Sequence, residues 1–324
     1  PDPNDFPSFH EKFGPRGVVH SWANEDGTQR IEDTGPLTRE RMQTVDREFV
    51  AEAKRFMGDA AESEEPFFQW FNSTHMHFRT HTKPESKGQS GRWQSEYHDT
   101  MIDHDRHVGE LLDRIDELGL AEDTIVVYST DNGPHMNTWP DGGMTPFRNE
   151  KNSNWEGAYR VPCLVRWPDK VEAGAVKNGI FAHNDWFVTL LAAAGDDSIA
   201  DRLKAGDTVN GREIKVHLDG FNQLDYLTGE ADESPRPYFF YVNDDGMVTS
   251  IRYDNWKVVF YEQRVGGTLQ IWAEPFVELR VPKIFNLRTD PFERADQTSN
   301  TYYDWMLDRV FLIVPLQAFT AQMA

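Results

Sequence analysis

The stretch Thr124-Ile125-Val126-Val127-Tyr128-Ser129-Thr130-Asp131-Asn132-Gly133 constrains the fold more than any other part of the chain. An apolar, β-branched run stops abruptly at a carboxylate, an amide and a glycine. A strand buried on both faces, as in a parallel sheet, reads as a continuous hydrophobic run. In open α/β sheets, ligands bind beyond the carboxyl ends of such strands. Asp131 and Asn132 stand there, and both offer hard oxygens. The same residue types dominate turns, so the tripeptide alone reads either as a turn or as part of a metal site.

A second run of the same kind, Pro66-Phe67-Phe68-Gln69-Trp70-Phe71-Asn72, predicts another buried strand. It leads into Ser73-Thr74-His75-Met76-His77-Phe78-Arg79-Thr80-His81. Three histidines at a strand end fit zinc ligands, general acids or polar loop residues. No cysteine stands among them to support a closed zinc site. Between the two runs, Tyr97, Met101, His104, Val108, Leu111, Ile115 and Leu118 form one stripe. They predict a helix from about Ser95 to Leu118, ended by Gly119. Asp103, Asp105 and Arg106 read as its solvated face, and His104 as a packed residue. Strand, helix and strand together fit a parallel, right-handed crossover.

Upstream, residues 1–37 read as loop. A helix is expected from Leu37 to about Glu62, with Thr38 as N-cap and Met42, Val45, Phe49, Ala53 and Phe56 as its apolar stripe. Downstream of Asn132, residues 135–160 carry no clear period, and loops of that length inside a domain are mostly functional or disordered. This one interleaves aromatic, glycine and charged residues, which suits a loop folded back with charges turned into a cleft. The lone cysteine, Cys163, excludes an internal disulfide and reads as an inert core thiol on a strand. Trp186–Ala194 reads as a helix.

The acidic excess decides which partners are unsuitable. With 54 acidic against 33 basic residues, the formal charge of −21 repels nucleic acid and anionic membrane. An anion site here needs a local cation or metal. The apolar run Val310–Leu316 is too short to span a membrane and contains Pro315. A domain boundary is placed near Ser234-Pro235. Beyond it Tyr238–Val242, Met247–Tyr253 and Trp256–Tyr261 predict an antiparallel meander, with Asn243-Asp244-Asp245-Gly246 and Asp254-Asn255 as turns. Tyr241, Tyr253 and Trp256 read as aromatic strand packing. A last helix is expected over about 302–322, kinked at Pro315.

In order and spacing these segments resemble the C-terminal portion of a sulfatase of the arylsulfatase type, in the alkaline-phosphatase-like superfamily. The resemblance rests on Pro66–His77, Gly109–Leu118 with its following strand, Asp131-Asn132-Gly133 and Thr145–Pro162. It continues through His183-Asn184-Asp185-Trp186, the run Thr189–Gly195, and Phe285–Glu293. It covers about residue 30 to the C-terminus. It implies an α/β/α sandwich with a largely parallel, mixed sheet over 1–234, and a smaller C-terminal antiparallel subdomain with a terminal helix over 235–324. It implies metal-dependent cleavage of sulfate monoesters. Asp131 and Asn132 match ligands of Ca2+ or Mg2+, Lys151 a contact to the sulfate oxygens, and His77 the histidine near the leaving-group oxygen. His75 is the alternative register for that role. A metal, a lysine and a histidine around the ester suit the charge that develops as the S–O bond breaks.

The resemblance also implies a substrate that is a small sulfate ester or a sulfated carbohydrate, and a periplasmic or secreted location. It has gaps. The family nucleophile is a formylglycine made in a Cys/Ser-x-Pro/Ala-x-Arg segment, and Cys163, followed by Leu164-Val165-Arg166, does not match. The first pair of metal carboxylates has no counterpart. Glu156-Gly157-Ala158 stands where the family usually has Glu-Gly-Gly. Calcium takes about 6–8 oxygens, more than Asp131 and Asn132 supply. The expectation is an N-terminally truncated chain with no nucleophile, the formylglycine lying upstream, and no turnover by itself. A phosphate or phosphonate monoester hydrolase of the same superfamily, and a non-catalytic metal-binding or interaction protein, are the other readings.

Overall fold

The computed structural model describes residues 8, 11–12, 17–77, 81–136, 139–265 and 269–321. Of the expected positions, Phe78, Arg79 and Thr80 lie outside the described residues. The chain is of mixed α/β class, and it forms two compact units, Pro1–Ala121 and Glu122–Ala324.

In the first unit, β1 (Gly17–Ala23) pairs antiparallel with β2 (Gln29–Pro36). Arg41 ties this hairpin to the helices. Its guanidinium donates to Gly35 O at 2.9 Å and grips Glu48 at 2.6 Å. The single helix expected over 37–62 is two pieces. A one-turn helix, Arg39–Met42, is capped by Thr38 Oγ1, which accepts from Arg41 N at 3.3 Å. The chain then breaks at Gln43-Thr44 and resumes as α1 (Val45–Ser63). The break lets Asp46 enter the interior, where its carboxylate accepts from the backbone N–H groups of Thr74 (2.8 Å) and His75 (3.1 Å). Val45, Val50, Ala53 and Met57 form the buried stripe, while Phe56 is exposed and meets Phe67 edge-on.

Helix α2 (Glu96–Glu117) has the expected limits. Ser95 and His98 form a reciprocal capping box, and Gly119 at φ +70° lets Leu120 N return to Ile115 O at 3.0 Å. Its buried side is not the expected one. Asp99, Thr100, Asp103 and His107 are buried there, together with Ile115. Asp105 and Arg106 are exposed as expected, but Asp103 is not. It accepts from Ser86 Oγ at 3.0 Å and Gln89 Nε2 at 3.2 Å, and lies 3.4 Å from the buried Lys83 ammonium. Hydrogen-bonding partners from a neighbouring turn make that burial affordable, and a periodicity argument cannot see them.

The run 67–72 is extended but carries no ladder. Phe67, Gln69 and Phe71 are half-buried, whereas Phe68 is 70% and Trp70 78% exposed. In the second unit, β3 (Val126–Ser129) pairs antiparallel with β4 (Cys163–Arg166). Among the described residues every ladder is antiparallel, so the expected parallel crossover does not form there. Cys163 is exposed, not the core thiol that its apolar neighbours suggest, because the two-stranded pair leaves this position uncovered. Partial burial of the sulfur still pushes its thiol pKa up.

Helix α3 (Asp185–Ala193) matches its expected place. The C-terminal sheet is a meander of β5 (Tyr238–Val242), β6 (Val248–Tyr253), β7 (Trp256–Glu262) and β8 (Val277–Asn286), in that spatial order. Its turns are those predicted, with Gly246 and Asp254 at positive φ. Ile251, Val258 and Ile284 are fully buried against Tyr302, Met306 and Leu316 of the C-terminal helices. Tyr241 is buried in the sheet, while Tyr253 is exposed. The last helix is interrupted before Pro315, not at it. Tyr302–Leu307 is followed by a 3-10 turn, Val310–Leu312, and then by α4 (Ile313–Ala321). Pro315 lies in the first turn of α4, where a missing N–H costs nothing.

The expected boundary at Ser234-Pro235 falls within this second unit. There Arg236 docks on the start of α3. Its Nε lies 2.9 Å from Asp185 Oδ2, and both residues are buried. Asp185 also accepts from Ala182 N (2.9 Å), Phe221 N (2.7 Å) and Gln223 Nε2 (3.0 Å). Arg236→Ala would leave a carboxylate buried without its cation, a loss of roughly 3–5 kcal/mol. Urea denaturation of parent and variant checks this, and an unchanged midpoint would contradict it.

Candidate active site

Asp131 and Asn132 leave the end of β3 on the surface, with Asp131 exposed and Asn132 half-buried. Asn132 uses its amide N–H on Gly133 O at 2.8 Å. That leaves its carbonyl Oδ1 for the ligand role. The next residues are woven into the long loop by backbone bonds. Gly133 N donates to Ala158 O at 2.8 Å, Lys151 N to Pro134 O at 2.9 Å, and Gly157 N to Arg148 O at 2.8 Å. Two glycines make this approach possible. A Cβ on Gly133 would lie 1.8 Å from Gly157 O, and one on Gly157 would lie 2.1 Å from Asn149 O. Asn149 (φ +63°) and Asn152 (φ +76°) turn the chain on either side of Lys151 in the left-handed region that asparagine tolerates. The Lys151 N to Pro134 O bond therefore ties the segment of Lys151 to the chain that follows Asp131 and Asn132, and the two segments form one patch. The residues that read as an aperiodic loop are its frame.

A buried ion cluster fixes that frame to the C-terminal sheet. Lys257 on β7 and Glu293 are both fully buried, and their charged atoms are 2.7 Å apart. Glu293 also accepts from Glu156 N at 2.7 Å. Lys257 donates to Asn154 O at 2.9 Å and lies 3.4 Å from the Glu156 carboxylate, which takes a short hydrogen bond from the Tyr241 hydroxyl. Burial works against ionisation of both glutamates. For Glu293 it wins and raises the pKa, against the pull of Lys257. For Glu156, Lys257, the Tyr241 hydrogen bond, Arg252 and Arg160 together outweigh burial and lower the pKa. Arg148 completes the clamp. It donates to Glu293 O at 2.8 Å and to Asp296 at 2.9 Å, with its guanidinium 3.5 Å over the ring of the buried Trp155. None of these partners is legible in sequence, because Lys257 and Glu293 come from strands and turns more than a hundred residues away from the loop.

The histidines belong to the first unit. His77 is exposed, and its backbone N–H donates to Thr74 O at 3.0 Å. His75 is buried two residues earlier, 3.3 Å from Asp46. The two are therefore different in kind: His77 can meet a solvent-borne substrate, and His75 is a core residue. Among the described residues, Asp46, His75 and His107 also form a cluster of potential ligand atoms. The spacing of those three in sequence gives no hint of it.

Comparison with known proteins decides what kind of chain carries this patch. The sulfatase family model matches residues 5–196, more than half of the sequence. The chain belongs to the sulfatase family. It is 29% identical over 243 residues to the steryl-sulfatase of Mus musculus, covering 72% of this chain and 35% of that protein. It is 27% identical over 284 residues to the N-acetylgalactosamine-6-sulfatase of Canis lupus familiaris, covering 82% of this chain and 51% of that one. The fold is similar to that of the PsFucS1 sulfatase from Pseudoalteromonas sp., with a TM-score of 0.79 at 24% identity, over 98% of this chain and 60% of that one. The chain thus spans between about a third and half of the curated relatives it matches.

The sulfatase nucleophile pattern, Cys/Ser-x-Pro/Ala-x-Arg, does occur once by spacing, in Ser198-Ile199-Ala200-Asp201-Arg202. This segment bears on the expectation of a chain with no nucleophile. The structure gives that segment other work. Ser198 Oγ donates to Asp196 at 3.0 Å at the start of the helix Ile199–Ala205. Arg202 pairs with Asp196 at 2.9 Å and Asp207 at 3.0 Å. Ile199 packs into a small apolar cluster with Val188 and Leu203. A helix start tied back to Asp196, with its arginine doubly paired, is a structural element.

Two substitutions test the frame of this patch. Gly157→Ala should destabilise the chain by about 1–3 kcal/mol, since carbonyl oxygens on both sides must shift. Lys257→Met should cost roughly 3–5 kcal/mol, because Glu156 and Glu293 then share a buried site without their cation. Chemical denaturation followed by far-UV circular dichroism measures both, and wild-type midpoints would contradict the assignment.

Proposed function

We propose that the chain carries part of the active site of a sulfuric ester hydrolase. The observation that carries this reading is the hydrogen-bonded patch that holds Asp131, Asn132 and Lys151 together at the end of β3. In this reading Lys151 places its ammonium against the sulfate oxygens, where negative charge grows as the S–O bond lengthens. His77, exposed and on a tight turn, gives a proton to the leaving-group oxygen. Asp131 and Asn132 offer oxygens of the kind Ca2+ or Mg2+ takes, and such a cation would supply Lewis-acid polarisation of the sulfate group.

These two residues provide only part of a calcium shell of about 6–8 oxygens. Further ligands and the nucleophile belong to residues outside this patch, with formylglycine the expected nucleophile. The substrate is a sulfate monoester, either a small molecule or a sulfated carbohydrate; the relatives named for steryl and N-acetylgalactosamine 6-sulfate groups span both. A periplasmic or secreted location accompanies the reading. Among the described residues, no helix is long and apolar enough to cross a membrane.

Two measurements test the reading. The chain by itself, given a chromogenic aryl sulfate and calcium, should show no turnover; release of the phenol above the buffer rate would overturn this. Calcium at millimolar concentrations should raise the thermal midpoint of the parent and leave Asp131→Ala unmoved. No response in the parent, or an equal response in both, would remove Asp131 from the metal site.

A further inference from the structure

We propose that Asp46, His75 and His107 form a second metal site, for a zinc-class divalent cation, that pins α1, the turn carrying His77 and α2 to one another. It is separate from the hard-oxygen pair Asp131-Asn132 and does not rest on it.

The observations are geometric. Each of the three residues is buried, and each offers one ligand atom, all lying within 4.8 Å of one another. His75 Nδ1 is 3.3 Å from Asp46 Oδ2. Tetrahedral zinc with bonds of about 2.0–2.1 Å holds its ligand atoms roughly 3.3–3.5 Å apart, so this edge already fits. No edge is longer than 4.8 Å. The two imidazoles stack with centroids 6.0 Å apart and planes 12° from parallel.

Two further facts point to a ligand and not simply to a packed polar cluster. Nδ1 of His107 is buried without a hydrogen-bond partner, and Nδ1 of His75 is buried with only the Asp46 carboxylate facing it, 3.3 Å away and outside hydrogen-bond geometry. Buried polar atoms rarely stay unmatched, and a bound ion is one of the standard explanations. Burial lowers the pKa of both imidazoles, toward the neutral form that binds a metal. Asp46 is held in place by the backbone N–H groups of Thr74 and His75, as metal carboxylates commonly are.

The surrounding charges have been weighed. Lys83 acts on both imidazoles and opposes a cation, and His104 lies close to both. Asp46 and Asp103 act in the opposite sense on His75, and Asp46 and Glu110 on His107. Two neutral nitrogens and one carboxylate select zinc-class ions over calcium or magnesium, which want all-oxygen sites. With three protein ligands, a fourth position stays open to water or a neighbouring group.

The test uses the full chain carrying Asp131→Ala and Asn132→Ala, which removes the hard-oxygen pair. After chelator treatment it should bind one equivalent of zinc by calorimetry, and excess calcium should not displace it. Cobalt in place of zinc should give the intense visible bands of a four-coordinate site. Loss of a mere orienting partner weakens metal sites by about 10–100-fold, so His107→Gln and His75→Gln should each weaken zinc on the order of 100-fold or more. Should either variant fail to fold, cadmium NMR of the parent reports the ligand set directly, with coupling to two imidazole nitrogens expected. The proposal is overturned by no stoichiometric zinc binding, by zinc affinity unchanged in both folded variants, or by a cadmium signal without imidazole ligands.

Discussion

The Lys257 ammonium is the charge on which the second unit's geometry depends. It sits fully out of water on β7, 2.7 Å from Glu293 and 3.4 Å from Glu156. A lone buried charge of this kind is untenable, and so is either glutamate by itself. The three hold each other, and their backbones are carried along. Glu156 brings the long loop, Glu293 brings the turn after β8, and Lys257 brings the sheet. Once Glu156 is fixed, Gly157 must lie under Asn149, and Gly133 under Gly157. The patch of Asp131, Asn132 and Lys151 is the far end of that chain of contacts. The candidate patch is thus positioned by an electrostatic knot that contains none of its own residues.

The first unit solves the same problem with different groups. Asp46 reaches into the interior only because the helix ahead of it breaks at Gln43-Thr44. It then organises the turn from Thr74 to His77 through two backbone N–H groups. Asp103 anchors the segment around Ser86 and Gln89 in a similar way. In both units, carboxylates drawn into the interior by donors set the loops, while apolar stripes set the regular elements.

That division explains what could be read in advance. The limits of α2 were legible because Ser95 and Gly119 carry capping chemistry in their own side chains or lack of one. The meander was legible because its turns contain Asn, Asp and Gly at the right places. The end of β3 was legible as a strand end because an apolar run stops at an acid, an amide and a glycine. By contrast, Asp103 and Lys257 are charged residues whose burial depends on partners distant in sequence, and pattern alone assigns such residues to solvent. The run 67–72 has every mark of a buried strand, yet it carries no ladder, since a strand needs a neighbour as well as a composition. Cys163 fails for a related reason: its neighbours are apolar, but its place on a two-stranded pair leaves it exposed.

Trp155 gives the molecule an optical consequence. Of ten tryptophans in the chain, this one is buried, with the Arg148 guanidinium on its face and the Lys257 ammonium within 5.6 Å of its ring centroid. Trp70 and Trp93, by comparison, are largely in water. An indole shielded from solvent emits to the blue of exposed ones, and flanking cations shift its excited-state dipole further. The loop that frames Lys151 therefore contains its own chromophore. Any loosening of that loop is written into the colour of the protein's ultraviolet emission before it is visible in the fold as a whole.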